Sequence, residues 1–237
     1  MYTLAFDSAA KIASVAVMAD EKIIASFSID NGLTQSELLL PMAEDMLKSL
    51  GLTFGDIGLL ATSVGPGSFT GVRIGVSLVK GLAFGRNIPC VGVSTLDGLA
   101  ENLNGLSGII VPCMDARRSQ VYTAVYSSDG EKIKKLTEDM AIPITELFER
   151  LRDFSEDIYI VGDGYDIVKA KLGELGLKTK NTPLELRLES AASVARIAYK
   201  KYKSGEYTSD GEISPIYLRL PQAERERLEK LKEKEEK

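Results

Sequence analysis

Apolar and polar positions along the chain alternate between two periods. Over 2–6, 13–18 and 22–29 the residues are continuously apolar or alternate, and the turn-prone pairs Asp7-Ser8 and Asp20-Glu21 separate them, which predicts three short strands. The period then lengthens. Thr34-Gln-Ser-Glu37 has the form of a capping box, with Leu33 and Leu38 placed as a hydrophobic staple, and apolar positions recur at helical spacing to Leu50, where Gly51 is a natural stop. Pro41 conflicts with this helix because it removes an intrahelical donor, so the pattern predicts either a kink there or a start within 36–40. A strand over 57–64, a glycine-rich joint, a helix over 70–84, a strand over 90–93 and a helix over 95–103 follow.

Residues 104–108 are the best linker candidate, and after them the pattern starts again. Strands are expected over 109–114, 120–126 and 131–136, then a helix over 145–154, a strand over 158–161, and the turn Gly162-Asp-Gly164 leading into a helix over 165–172. Both halves therefore read as three strands, a helix, a strand and a helix, and each ends its first strand with an aspartate, Asp7 or Asp115. This order predicts an α/β fold of two similar lobes, 1–104 and 105–212, with the cleft between them beyond the strand ends, where α/β folds bind ligands. Residues 190–202 carry Ala191, Val194, Ala195, Ala198 and Tyr202 at the core spacing of an amphipathic helix. Residues 213–237 form a C-terminal segment, free to return to the first lobe, whose last stretch holds six acidic and six basic residues and reads as a solvated tail.

Composition narrows what such a fold can do. With 29 basic and 34 acidic residues the net charge is −5, so the electrostatic footprint of a stand-alone nucleic-acid binder is absent, and any RNA is expected to be held by a partner. The chain has no histidine, and its two cysteines, Cys90 and Cys113, lie far apart in apolar runs. No zinc site, Ser-His-Asp triad, Cys-His pair or HExxH helix can be built from that, and no metal site is expected. The cysteines read as buried thiols in a reducing compartment. No run of eighteen apolar residues and no basic leader is present, which predicts a cytoplasmic chain with no membrane partner.

Two regions are candidates for ligand chemistry. The joint Gly65-x-Gly67-x-x-x-Gly71 places glycines at a strand-to-helix turn, where helix N–H groups attract anions, yet it misses both the GxGxxG and the GxxxxGK[ST] patterns. A tight turn that lets the helix pack closely on the sheet is the simpler reading. Asp7 and Asp115, with Arg117 and Arg118 beside the latter, are weak candidates to hold a metal-nucleotide or grip a phosphate, and a turn former or an Asp-Arg brace explains them as well. Gly162-Asp-Gly164 reads as structural.

The two helices of the first half carry a broader signal. On a helical projection, apolar residues from 38 to 50 cover about half the circumference, wider than the ~100° stripe that one sheet requires. In the helix over 70–84, Val72, Val76, Val79 and Ala83 form one apolar ridge and Ile74, Leu78 and Leu82 another, divided by Arg73, Ser77 and Lys80. Spare faces of this kind suit a helix-to-helix partner surface, and Leu39, Met42, Met46, Leu50, Val72, Val76, Val79, Lys80 and Ala83 are its expected lining. Periodicity alone equally allows both helices to be sandwiched inside the domain.

The residues also carry a family resemblance. The run from Gly65 through Ser-Phe-Thr-Gly-Val-Arg-Ile to Gly75, the Gln35-Ser-Glu-x-Leu-Leu-Pro41 segment, Gly92-Val-Ser-Thr-Leu96, Asp115-Ala-Arg-Arg118 with Val121-Tyr122, and the ending Pro215-x-Tyr-Leu-Arg219-x-Pro-Gln-Ala-Glu224 together resemble the TsaB (YeaZ) family, in order and over nearly the whole chain. The resemblance implies the two-lobed fold of actin, Hsp70 and sugar kinases. It also implies a role in forming N6-threonylcarbamoyladenosine at position 37 of tRNAs that read ANN codons. A member of that family is a non-catalytic subunit that binds and activates TsaD through first-lobe helices, is joined by the ATPase TsaE, and meets tRNA only through the complex. ATP or ADP and a metal then belong to the partner subunits, and the chain alone forms a homodimer. One departure is visible: a histidine often begins the segment where this chain has Gln35. Two rivals remain, an independent ATP-dependent phosphotransferase of the same fold and a purely structural homodimer.

Overall fold

The computed structural model describes residues 1–117 and 119–219. Its first half forms β1 (Tyr2–Asp7), β2 (Ala13–Ala19), β3 (Lys22–Ile29), α1 (Gln35–Ser49), β4 (Ile57–Gly65), α2 (Phe69–Ala83), β5 (Cys90–Ser94) and α3 (Thr95–Glu101). The second half forms β6 (Ser107–Asp115), β7 (Gln120–Thr123), β8 (Tyr126–Asp129), β9 (Ile133–Lys135), β10 (Met140–Pro143), α4 (Ile144–Leu151), β11 (Ile158–Val161), α5 (Tyr165–Glu174) and α6 (Ala191–Lys203).

The duplication expected from the element order is present in the pairing. β1 lies between antiparallel β2 and parallel β4, in a sheet ordered β3-β2-β1-β4-β5. β6 lies between antiparallel β7 and β8 on one edge and parallel β11 on the other. The strand expected over 120–126 is interrupted at Ala124 and Val125, so that β7 pairs one end of β6 and continues to β10, while β8 pairs the other end and continues to β9. β10 is an addition to the sequence reading. Pro143 at its end and Ala141 within it give weak strand propensity, and pairing with β7 supplies what propensity lacks.

α1 forms from Gln35 straight through Pro41, because the Glu37 carboxylate accepts both the Thr34 N–H, at 3.0 Å, and the Thr34 hydroxyl, at 2.7 Å, and so fixes the first turn. Pro41 sits on the exposed side, where its missing donor faces water. α1 and α2 cover one face of the first sheet, burying Leu39, Met42, Met46, Val72, Val76 and Val79 against Leu4, Phe6, Val15 and Leu60.

α6 covers the opposite face of that same first sheet: Ala191, Val194, Ala195 and Ala198 pack on Ala5, Ala16, Leu59, Ala61 and Val93. Read from order alone the helix belongs to a second lobe ending at 212, but its small side chains suit close approach to the flat, alanine-rich back of the first sheet. The Ala191 amide also donates to Ser14 Oγ at 3.0 Å. α3 lies against both sheets, with Leu96, Leu99 and Leu103 in one core with Ile110, Met114 and Tyr126. The second sheet buries its other face under α4 and α5, through Leu147, Leu151, Val168 and Leu172.

Candidate functional site

The glycine joint is a packing device. Its Ser68 amide donates to the Ala9 carbonyl at 2.6 Å, and a Cβ on Gly67 would stand 2.3 Å from that same oxygen. One turn on, a Cβ at Gly71 would lie 2.0 Å from the Ser8 carbonyl, and one at Gly75 would lie 2.6 Å from Ser8 Oγ and Thr62 Oγ1. The glycine row thus brings α2 into backbone contact with the β1–β2 turn, and the amide of Ser68, the residue before α2, is spent on that turn. Gly65, at φ +108°, has a conformation that side chains avoid, and its α-carbon faces the Ile216 carbonyl, 2.5 Å from where a Cβ would sit.

Asp7 ends β1 as expected, but inside the protein. It is 1% exposed, accepts the Ser63 hydroxyl at 2.8 Å and the Ala9 amide at 3.0 Å, and is pushed up to about 6 by burial against the pull of those two hydrogen bonds. Asp115 is exposed. Its carboxylate accepts the Arg117 amide at 2.7 Å, and its own amide donates to Asp163 at 3.0 Å. The Gly162-Asp-Gly164 turn therefore caps the end of β6, with Gly162 and Gly164 pressed on the Cys113 carbonyl. Arg118 lies outside the described residues, as does the charged tail over 222–237. Cys90 and Cys113 are free and buried, and burial pushes their thiols up to about 11 and about 12. Among the described residues no group of three or more histidine, cysteine, aspartate or glutamate side chains could hold a metal ion.

Two cavities adjoin the joint. One, of about 630 Å³, lies between the lobes and is lined from the first lobe by Ala9, Lys11, Pro66, Gly67 and Ser68, from the second by Met114, Asp115, Arg117, Tyr122 and Asp163, and from the C-terminal segment by Ile216, Tyr217 and Arg219. The other is a groove of about 500 Å³ between α1 and α2, lined by Gln35, Ser36, Leu39, Leu40, Phe69, Thr70, Arg73, Ile74, Ser77 and Leu78.

The groove corrects the expected partner surface. Met42, Met46, Val72, Val76, Val79 and Ala83 are at most 6% exposed, packed in the core under the two helices, and are not available to a partner; Leu39, 1% exposed, reaches the groove only from beneath. Leu50 is half-buried, and so is Lys80, whose Nζ donates to the Gly211 carbonyl at 3.3 Å. The other ridge, Ile74, Leu78 and Leu82, is half-buried against the core, with Ile74 and Leu78 reaching the groove, and Leu40 of α1 is exposed. On α2 the buried side holds Gly71 and Gly75, fitted over Ser8 and Thr62, together with Val72, Val76, Val79 and Ala83.

Sequence reading also missed Glu189. It is 3% exposed just before α6, both carboxylate oxygens lack a hydrogen-bond partner, and burial, with Asp7 and Asp163 nearby, pushes it up to about 8. An acidic residue before a helix usually reads as an exposed helix-start charge, so no local signal marks it.

Comparison with known proteins places this geometry. A family model described as TsaD, tRNA N6-adenosine threonylcarbamoyltransferase, matches residues 34–226. The chain is 34% identical over 223 residues to the tRNA threonylcarbamoyladenosine biosynthesis protein TsaB of Escherichia coli strain K12, covering 92% of this chain and 95% of that one. The chain belongs to the TsaB family. The Bacillus subtilis strain 168 TsaB is 28% identical over 239 residues, covering 98% of this chain and all of that one. The solved structure of YeaZ from Pseudomonas aeruginosa superposes with a TM-score of 0.75 at 26% identity, covering 92% of this chain and 99% of that chain. Component A of the Acidaminococcus fermentans (R)-2-hydroxyglutaryl-CoA dehydratase superposes at 0.51 and 14% identity over 86% of this chain and 99% of that one, a likeness of fold alone. This TsaB-family chain thus has the two-lobed fold of the actin, Hsp70 and sugar-kinase class. No helix among its described residues is long and apolar enough to cross a membrane.

Proposed function

We propose that this chain is a non-catalytic cytoplasmic subunit that binds TsaD through the outer faces of α1 and α2 and activates it for N6-threonylcarbamoylation of adenosine 37 in tRNA. The observation that carries the reading is the groove: Leu40, Ile74 and Leu78 present apolar surface between two helices, and Gln35, Ser36, Arg73 and Ser77 give it a polar rim. In this reading TsaE joins the pair, tRNA is gripped by the complex, and ATP or ADP and the metal are held in the partner subunits. The names of the relatives support the pathway, and the absence of histidine supports a chain without its own metal chemistry.

The rival phosphotransferase needs a phosphate-binding turn and a carboxylate facing the cleft. Asp115 and Asp163 do line the cleft, but the turn's Ser68 amide is taken by Ala9, and Asp7, the other aspartate that reading needs, is held inward by Ser63. The test is reconstitution of threonylcarbamoyl transfer from an activated threonylcarbamoyl donor to tRNA by purified TsaD and TsaE, with and without this chain. Unchanged transfer in its absence overturns the proposal. A chain that forms only its own dimer through the groove, with no binding to TsaD on size-exclusion chromatography, supports the structural homodimer instead.

A further inference from the structure

The segment after α6 does not stop at the first lobe. Thr208 pairs with Cys90 at the edge of β5 through reciprocal backbone bonds of 2.9 Å, Ile213 is buried, and the Ile216 amide donates to the Val64 carbonyl at 2.7 Å over the glycine joint. The Tyr217 ring then stacks on Phe69 with centroids 4.8 Å apart. Two residues later Arg219 reaches the second lobe, donating from Nη1 to the Ala116 carbonyl at 3.0 Å with its guanidinium 5.8 Å from the Tyr122 ring centroid. The chain therefore spans the mouth of the interlobe cavity and forms part of its wall.

One side chain belongs to both this span and the α1–α2 groove. Arg73 Nε donates to the Tyr217 hydroxyl at 2.8 Å, its guanidinium carbon lies 3.8 Å above the Phe69 ring, and the same residue lines the groove. Phe69 lines the groove and the cleft alike. An occupant of the groove must pack against Phe69 and Arg73, the two groups that hold Tyr217.

We propose that residues 213–219 are a strap that sets the opening of the interlobe cleft, and that Arg73 couples the strap to the α1–α2 groove. The strap is anchored in the first lobe by Val64, Phe69 and Arg73 and in the second by Ala116. A ligand that binds the Arg73 guanidinium differently when Tyr217 is seated and when it is released shifts the strap, and by reciprocity a change in the cleft alters affinity at the groove. The second linkage between the lobes is separate: Tyr126 and Lys135 reach Asp97 of α3 at 2.7 and 2.8 Å, and Ser94 reaches Asp139 at 2.7 Å. Among the described residues the lobes are thus tied at α3 and at the strap, and it is the strap that contacts the groove-lining Phe69 and Arg73.

The test uses the isolated full-length chain, so its outcome is independent of whether TsaD binds. Exchange of the Ile216 amide is followed by NMR in Arg73→Ala, which removes an exposed side chain and leaves the fold intact. The expected result is exchange faster by about tenfold, from losing one hydrogen bond and one cation–π contact, with a smaller rise of the same sign in Tyr217→Phe, which keeps the stacked ring. Spin labels at Asp45→Cys in α1 and Glu174→Cys in α5, both exposed, then report the lobe-to-lobe distance, the native cysteines being buried. Arg219→Ala is expected to broaden that distribution. An unchanged Ile216 rate in both Arg73→Ala and Tyr217→Phe overturns the coupling, and an unchanged distance distribution in Arg219→Ala overturns the strap.

Discussion

The Gly71 α-carbon faces the Ser8 carbonyl so closely that a Cβ there would lie 2.0 Å from the oxygen. That oxygen belongs to backbone, in a turn held on its other side by Asp7 and Ser63, and it cannot swing away as the end of a side chain would. Gly71→Ala is expected to destabilise the chain by about 3 kcal/mol or more. Gly81, exposed in the same helix with nothing within 4 Å, provides the control, and Gly81→Ala is expected to stabilise by about 0.5–1 kcal/mol through helix propensity. Urea unfolding of the two variants beside the parent measures both, and a Gly71→Ala midpoint equal to the parent's contradicts the packing role of the joint.

Charges on the two ridges of α2 should separate fold from function. Val76→Glu and Met46→Glu place a charge where exposure is 3% and 0%, a cost of several kcal/mol against a typical total of about 5–15, so both are expected insoluble or melting far below the parent. Ile74→Glu and Leu78→Glu act at the groove, where both side chains are half-buried and the charge keeps contact with water in the free chain. They should melt within a few degrees of the parent and lose TsaD binding in a pull-down. Groove variants that bind normally would place the partner elsewhere.

Stability should fall as pH rises across neutrality. Asp7 and Glu189 are raised in the folded chain, from 3.8 to about 6 and from 4.5 to about 8, so the fold holds their protons more tightly than the unfolded chain does. Their protonated forms cost nothing below about pH 4, and stability is lost as pH climbs through the two raised values. Carboxylates held below their ordinary range by hydrogen bonds, Glu37 with Thr34 and Asp129 with the Lys132 and Glu131 amides, act in the opposite sense at the acid end. Glu189→Gln removes the larger penalty. Thermal melts from about pH 5 to pH 8.5 should show the parent falling and the variant flatter, with a gain of a few kcal/mol at the alkaline end. A variant that tracks the parent at every pH would mean that Glu189 finds a partner in solution.

Lys135 sits between Asp97 and Asp139, at 2.8 and 2.5 Å, where α3 meets the second sheet. All three side chains are between 17% and 32% exposed, so solvent screens them only in part. Lys135→Met leaves two carboxylates facing each other and is expected to cost about 1–2 kcal/mol, and Asp97→Asn in that background should recover part of the loss. A double-mutant cycle by chemical denaturation measures the coupling, and additive effects would show that the three charges act independently.

Much of this protein was legible in its residues alone. Most of the element order, apart from β10 and the break between β7 and β8, the duplicated halves, the capped start of α1 and the tightness of the glycine joint follow from local periods and turn chemistry, which act over a few residues and leave their mark there. The family could be read because its motifs are short and ordered along the chain. The direction of the α2 ridges could not, since Val72-Val76-Val79 and Ile74-Leu78 are equally apolar and nothing local distinguishes inside from outside. The packing of α2 on the first sheet, which puts Val72, Val76 and Val79 in the core with Leu4, Phe6 and Leu60, made that choice. The same holds for α6, amphipathic in sequence but assigned to the first sheet only by the alanine surface it meets, and for Glu189, buried near Asp7 and Asp163, which lie far from it in sequence. Arg73 and Tyr217 stand 144 residues apart, and no period or spacing links them. Periodicity reports that a side chain prefers burial or water, and only the assembled chain decides which partner satisfies it.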